Sequence, residues 1–500
     1  MLGQIKKIFR SSAIYGIGQI APKLVGLILV PVLTNPAYLS PDDYGKLSLL
    51  EASSMLLIAL FGFGFNYALE RWYWDKAYIN KRKEIFFTLI VATIVLTSLL
   101  WGFLSMFSGS ISVLLTDREN WQRMLNLLFL ASALESLVFL PTTILRLEEK
   151  PGLFVTSNIF RFVIYLLFTL YFLIIKKTGL EGIYEARVLS QLAIILVLII
   201  PVFKRITPKL ELSALKEMAV FRLPLVLSTV SYIIFNITDR FSLRILSNST
   251  FTDVGKYSLS YSIVNSVKVL VLSSVWLSLR PMIYQMMDTD GNKRFYSKVM
   301  KYMSFGVVLM LLIVTVFGQE IIRVLAKSSI FYNSFYILPI LAVALIFDTL
   351  KDITQSIGLT INKKTGIIAV TMVISTIINI GLNILLIPRL DIYGAGLSTT
   401  ISQLFFFLVT YFYSQKHYPI PYEIGRIATM VIVFMILGAG SLLLRDMDLL
   451  IRIPLKIIIV AAFPVILFVL KFYEDIEITR IRQLITRIWH PSEWMKLIKG

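Results

Sequence analysis

About fourteen apolar runs, each long enough to cross a bilayer and separated by short loops, constrain this chain more than any other feature. They cover residues 11–34, 46–67, 84–107, 122–145, 152–175, 180–203, 219–246, 255–285, 298–325, 332–358, 365–387, 392–413, 424–444 and 450–472. Lipid offers no water to the backbone, so each run must be helical. The fold class expected is therefore an all-α polytopic membrane protein of about fourteen transmembrane helices. The runs leave little mass outside the membrane for aqueous chemistry, which points to moving something across it.

The rest of the composition agrees. The chain has 500 residues, is 57% hydrophobic and only 16% charged. A soluble protein of this size needs far more charged surface. Its opening, MLGQIKKIFR, is basic, and the first apolar stretch is too long for a signal peptide and lacks a cleavage signature, so a retained first helix is expected. There are no cysteines, which excludes disulfides, iron–sulfur clusters and thiol chemistry. His417 and His490 are far apart and outside any metal-ligand spacing.

The net charge is +19. Loops taken alternately from an inside N-terminus divide the Lys and Arg about 29 to 11 between the two sides. The basic loops 6–10, 80–84, 203–209 and 292–294 and the C-terminal tail all fall on one side. Membrane topology accounts for this charge, and nucleic acid is not expected as a partner. With an even number of helices, both termini are expected on the cytoplasmic side.

The chain repeats itself. GIYEARVLSQL at 182–192 and GAGLSTTISQL at 394–404 share Gly, Ser, Gln and Leu at identical offsets, 212 residues apart. Each follows an apolar helix that ends in a polar turn, and each would open the sixth helix of a six-helix unit. The expected organisation is a lobe at 1–203, a linker at 204–218 and a second lobe at 219–413. Two extra helices at 414–472 and a basic amphipathic tail at 473–500 follow. In that tail Ile478, Ile481, Leu484, Ile485 and Ile488 recur at helical spacing between arginines, as on an interfacial helix. A parallel repeat of this kind commonly places its substrate site between the lobes.

Charges inside membrane helices are costly, about 3 kcal/mol each at the centre of a span, and so mark candidate sites. Lys23 shares a helical face with Gln19, and Pro22 beside it removes a backbone donor. It either faces a cavity or snorkels to an interface. Asp239 and Arg240 follow Ser228, Tyr232 and Asn236 along one face, and either pair between lobes or end the span. Tyr257, Tyr261, Asn265 and Lys268 form another polar stripe, with Lys268 deep in its run. Asp348, Lys351 and Asp352 stand at spacings that permit pairing within one helix. Asn379 and Asn383, one turn apart, read as interhelical hydrogen-bonding groups. In the first lobe Glu51, Glu135, Arg161 and Arg187 lie in or near apolar runs, with Arg161 several residues into its helix. Trp72, Trp74, Trp101, Trp121 and Trp276 sit near predicted ends and suit an aromatic belt. No Walker A motif is present, and GFGFN at 62–66 fails the dinucleotide pattern. No large loop presents paired carboxylates. The sequon Asn248-Ser249-Thr250 is of a kind common by chance. A transporter without cofactors is expected, and not an enzyme.

Three stretches carry a family resemblance. The opening at 15–51 includes the turn of Leu39, Ser40, Pro41, Tyr44 and Gly45. FRLPLVLSTVSYIIFNITDRFSL at 221–243 includes Pro224, Asp239 and Arg240. NIGLNILLIPRLDIYGAGLSTTISQ at 379–403 has the pattern Asn-x-x-x-Asn…Ile-Pro…Gly-Ala. Together they resemble the polysaccharide-transporter family, the flippases of lipid-linked oligosaccharides such as O-antigen units. That family belongs to the multidrug/oligosaccharidyl-lipid/polysaccharide (MOP) superfamily, which also holds multidrug-and-toxin extrusion (MATE) proteins. Gly396 and Ser398 stand where the family often has Ala.

The resemblance implies a MATE-like pair of six-helix lobes around a cationic cavity, worked by alternating access. It implies an undecaprenyl-pyrophosphate-linked oligosaccharide as cargo, flipped to the outer leaflet for surface polysaccharide. Membrane lipids and polysaccharide-assembly proteins are the other implied partners. Lys23, Arg161, Arg240 and Lys268 would meet the diphosphate, beside Gln19, Tyr261 and Asn265. Asp239 and Asp348 are candidate sites for coupling to a Na+ or proton gradient, in addition to the membrane potential. Efflux of small amphipathic cations, or a membrane-embedded glycan polymerase or ligase, are the alternatives.

Overall fold

Among the described residues, the apolar runs are helical almost throughout. The computed structural model describes Gly26, residues 28–474 and Ile478, leaving out 117–120, 149, 247–249, 274, 277–278, 280–281, 284–285, 288 and 363. The amphipathic tail, most of the first predicted helix and most of the sequon therefore lie outside the described residues. Among the described residues, eleven helices are long and apolar enough to span a membrane.

In the first half, residues 28–33 are helical and a turn leads into α1 (Pro41–Gly62). This helix starts five residues before its apolar run, because Ser40 caps it. The Asp43 N–H donates to the Ser40 hydroxyl at 3.1 Å, Asp43 accepts in return from the Ser40 N–H, and Pro41 occupies the first turn. A break at Phe63 and Gly64 separates α1 from the short α2 (Phe65–Trp72). There follow α3 (Arg82–Met106), α4 (Ser108–Thr116), α5 (Gln122–Leu147), α6 (Pro151–Leu170) and α7 (Gly179–Phe203).

The expected linker at 204–218 is only partly a linker. Helix α8 (Leu212–Leu246) begins inside it and runs for 35 residues, about 50 Å and more than a bilayer needs. Its first turns bury Ala214 and Met218 against Phe65, Trp72, Ile85 and Leu89 of the first half. The Glu211 N–H donates to the Thr88 hydroxyl at 2.9 Å, and Lys81 pairs with Glu211 at 3.0 Å. These contacts give the segment a reason to be helical that hydropathy does not contain.

Helix α9 (Phe251–Val267) continues as a π-helical turn at Lys268–Ser273. It lies in the predicted eighth segment but is not among the eleven apolar spans, since its polar stripe lowers its hydropathy. Then come α10 (Asn292–Val316), α11 (Gly318–Leu325) and α12 (Leu338–Thr354). Helix α13 (Thr365–His417) contains the eleventh and twelfth predicted segments, with a bend at Asp391, where φ is 47° and ψ is −125°. Gly394 permits the bend to close, because a Cβ there would stand 2.5 Å from the Leu386 carbonyl oxygen. Helices α14 (Ile424–Leu442) and α15 (Leu449–Val469) join the core of the second half through Met430, Phe434, Phe463 and Leu467.

The two halves meet at the end that the basic loops assign to the outside. Tyr44 packs edge-on to Phe331 at 5.3 Å, and Trp121 lies 5.5 Å from Phe251. The Lys327 N–H donates to the Thr34 hydroxyl at 3.2 Å. Gly45 of α1 abuts α9 so closely that a Cβ on it would lie 1.6 Å from the Phe251 carbonyl oxygen. Trp72, Trp121 and Trp276 are buried in the protein, so the aromatic-belt reading fits only the exposed Trp74 and Trp101 of the five. Beyond the opposite ends of α5 and α7, Arg205 pairs with Glu148 at 2.7 Å. Burial pulls the Glu148 carboxyl up, and hydrogen bonds from Arg205 and Lys150 outweigh it, holding the group below its ordinary range.

Candidate functional site

The second half contains a cavity of about 230 Å³ between α8, α9, α12 and α13. The two polar stripes read from the sequence both face it: Tyr232, Asn236 and Asp239 from α8, and Tyr261, Asn265 and Lys268 from α9 and its π turn. Lys268 is not a bare cation there. It donates to Asp348 and reaches Asp352 at 3.2 Å. Lys351 donates to Asp348 at 2.5 Å and lies 3.2 Å from Asp352. Two lysines and two aspartates thus balance each other. Asp348, expected as an ion-coupling candidate, and Lys268, expected as a cargo contact, belong to one cluster.

Asp239 has different company. Its buried carboxylate accepts from the hydroxyls of Tyr257 and Thr399 and from the amides of Asn379 at 3.3 Å and Asn383 at 3.0 Å. Every one of these donors is neutral. The bend at Asp391 makes this possible, since Asn383 precedes it and Thr399 follows it, yet both reach one carboxylate. The Oδ1 of Asn383 and the Oε1 of Gln403 are buried nearby without partners. Sequence pattern alone left Asn379 and Asn383 as interhelical groups and gave Thr399 no role.

Arg240, next along α8, points elsewhere. Its guanidinium donates to the Ser258 hydroxyl at 3.0 Å and to the Asn236 carbonyl at 3.1 Å, and lies 4.8 Å from the centre of the Tyr261 ring. Among the described residues no carboxylate lies within ion-pair distance of it.

The first half has a cavity of its own, about 250 Å³, where Glu51 of α1, Glu135 of α5, Arg161 of α6 and Arg187 of α7 converge. Arg187 donates to Glu51 at 2.7 Å and to Glu135 at 3.2 Å. Arg161 has the weaker position, 3.7 Å from Glu135, and its buried Nε has no partner. The sequence repeat takes on meaning here. Gln191 lines the first cavity and its counterpart Gln403 the second, each buried with an unpartnered Oε1. Lys23 and Gln19 lie outside the described residues.

A stronger repeat escaped the sequence reading. Asp43-x-Gly45-Lys46-x-Ser48-Leu49 recurs as Asp253-x-Gly255-Lys256-x-Ser258-Leu259, 210 residues on. It starts α1 and α9, and it is the stretch through which those helices touch. Ser258, the partner of Arg240, belongs to it.

Residues 8–287 match the model of the family described as "Polysaccharide biosynthesis protein". In three dimensions the chain is similar to the lipid II flippase MurJ in an inward closed conformation, with a TM-score of 0.71 and 16% identity, covering 90% of this chain and 98% of that one. It is also similar to an inward-facing multidrug resistance MATE family transporter of the MOP superfamily, with a TM-score of 0.64, 16% identity, and 82% and 95% coverage. An outward-facing MATE family transporter gives a TM-score of 0.58 at 17% identity, with 84% and 95% coverage. No curated protein matches the chain by sequence. At these identities the structural likeness establishes the fold.

Proposed function

We propose, from the premise that the chain belongs to the polysaccharide biosynthesis protein family of membrane transporters, that it flips an anionic lipid-linked oligosaccharide from the cytoplasmic to the outer leaflet of a bacterial inner membrane. In this reading both termini are cytoplasmic, and the repeats at 1–203 and 219–413 act as lobes that alternate access to the space between them. The cargo is an undecaprenyl-pyrophosphate-linked unit, passed on to polysaccharide-assembly proteins.

The observation that carries the reading is Arg240. Its guanidinium is fixed by Ser258, Asn236 and the Tyr261 ring, and among the described residues no carboxylate neutralises it. A positioned guanidinium of this kind is suited to a phosphate, which accepts hydrogen bonds in pairs. Arg161, with its unpartnered Nε, is the matching group in the first half. Lys268 is a weaker candidate because Asp348 and Asp352 already occupy it.

Asp239 is the better ion-coupling candidate of the two aspartates. Asp348 has lysines to offset its charge, whereas Asp239 has only neutral donors. Asp239, the unpartnered Asn383 Oδ1 and Thr399 form a hard oxygen set that fits Na+, and a proton on Asp239 would serve equally. The same carboxylate also favours a second reading, efflux of amphipathic cations.

The test is depletion of the protein in its own host. Lipid-linked oligosaccharide should accumulate on the cytoplasmic leaflet, and wild type should restore surface polymer where Arg240→Ala does not. Intact polymer and no accumulation, with heightened sensitivity to cationic drugs, would replace flipping with efflux.

A further inference from the structure

Away from both cavities, α3, α5 and α7 enclose a groove of about 210 Å³ on the outer surface of the first half. Its walls include Ile90 and Ile94 of α3, Leu137 and Pro141 of α5, and Ile199 and Phe203 of α7. The one hydroxyl in the lining, that of Thr93, is already spent on the Leu89 carbonyl at 2.7 Å. Nothing there asks for a polar ligand. Ile94, Ile199 and Phe203 are 46%, 39% and 68% exposed, so the groove opens sideways, toward lipid. It lies in the half of the membrane that the basic loops assign to the cytoplasmic leaflet.

The mouth of the groove is cationic. Phe203 is followed at once by Lys204, and Lys83 stands two turns below Ile90, about 10 Å along α3. The Thr207 N–H donates to the Lys83 carbonyl at 3.3 Å, which holds the segment after α7 against the start of α3. Arg205 is committed to Glu148, but Lys83 and Lys204 are exposed and make no ion pair among the described residues. An apolar slot therefore opens beside two lysines that make no ion pair among the described residues. A volume of about 210 Å³ admits a segment of one hydrocarbon chain, and the basic mouth complements a phosphate. Two of the groove's helices also line the first cavity, to which α5 contributes Glu135 and α7 contributes Arg187 and Gln191.

We infer that this groove docks the single polyprenyl chain of the cargo lipid in the cytoplasmic leaflet, with its phosphate held at Lys83 and Lys204. The inference rests on the lipid-linked cargo proposed above and adds where that lipid first engages the protein.

The test uses the purified full-length protein, a C55 polyprenyl phosphate as probe, phosphatidylglycerol as competitor and native mass spectrometry as readout. Wild type should retain the polyprenyl phosphate against a tenfold excess of phosphatidylglycerol. Ile94→Trp and Ile199→Trp, which fill the groove from opposite walls, should each lower the bound fraction at least fivefold. The Lys83→Glu/Lys204→Glu pair should do the same. All four side chains are exposed, so folding should survive, as gel filtration would verify, and the charge variant carries the test if either tryptophan variant aggregates. Unchanged retention in the folded variants would overturn the groove, as would displacement by equimolar phosphatidylglycerol or failure of wild type to bind the probe. Those results leave the flippase reading to the leaflet-accumulation experiment, which can fail or succeed independently.

Discussion

Asp348 accepts from two lysines on two elements, Lys268 and Lys351, and this makes its loss different from the loss of either lysine. Without Lys268, Lys351 still lies between Asp348 and Asp352. Without the Asp348 charge, two lysines share Asp352 alone, and Lys351 is almost fully buried. Removing one partner from a buried pair costs about 3–5 kcal/mol, chiefly through the charge left behind. Asp348→Asn should therefore lower thermal stability in detergent by more than Lys268→Met, and the double variant should recover most of the difference. Equal losses in the two single variants, read by scanning fluorimetry, would mean that the cluster is not coupled in this way. The sequence made these residues visible, because a charge in an apolar run has no cheap explanation, and the spacing of Asp348 and Lys351 announced their pairing. It did not disclose that Lys268 joins them from 80 residues away. Nor did it disclose that four neutral donors serve Asp239. Partners on different helices have no common periodicity to read.

Helices were legible wherever lipid exposure alone sets their length, and less so where local chemistry does. The start of α1 is set by the Ser40 cap and Pro41, a signal present in the sequence but invisible to hydropathy. The start of α8 is set by packing on α2 and α3, which no local pattern encodes. The bend that joins the eleventh and twelfth segments was visible as a polar turn, but not its consequence, that both arms reach Asp239. The repeated Asp-x-Gly-Lys-x-Ser-Leu motif leads to an element-level prediction. Gly45 meets the Phe251 carbonyl, while Gly255 has more room, with its nearest neighbours at 3.2–3.4 Å from an added Cβ. Gly45→Ala should thus push the outer ends of α1 and α9 apart, whereas Gly255→Ala should be milder. The natural absence of cysteine allows spin labels at Ala37→Cys and Thr250→Cys, both exposed, to report the separation. The distance distribution should move to longer values in Gly45→Ala, with reduced rescue of export. An unchanged distribution in a folded variant would show that this contact does not hold the outer side closed.

At the scale of the molecule, the charge sum of the two cavities decides how the diphosphate cargo proposed above can move. In the first, Arg161 and Arg187 face Glu51 and Glu135. In the second, Lys268 and Lys351 face Asp348 and Asp352, and Asp239 adds a third carboxylate. The family resemblance implied a cationic interior; the fold balances these four cations against carboxylates. Neither cluster can neutralise two phosphate charges without giving up its own carboxylates, so the cargo should carry its charge across the field. With the inside negative, outward movement of two negative charges is favoured by about 4–5 kcal/mol per 100 mV. Proteoliposomes with an imposed potassium diffusion potential test this directly. Flipping of a fluorescent polyprenyl diphosphate should accelerate when the donor side is negative and slow when the potential is reversed. If Asp239 couples a cation, Asp239→Asn should leave this voltage response in place and remove only the response to a Na+ or proton gradient. A rate indifferent to potential would mean that compensating cations travel with the cargo, and the electrogenic account would fall even if flipping itself is observed.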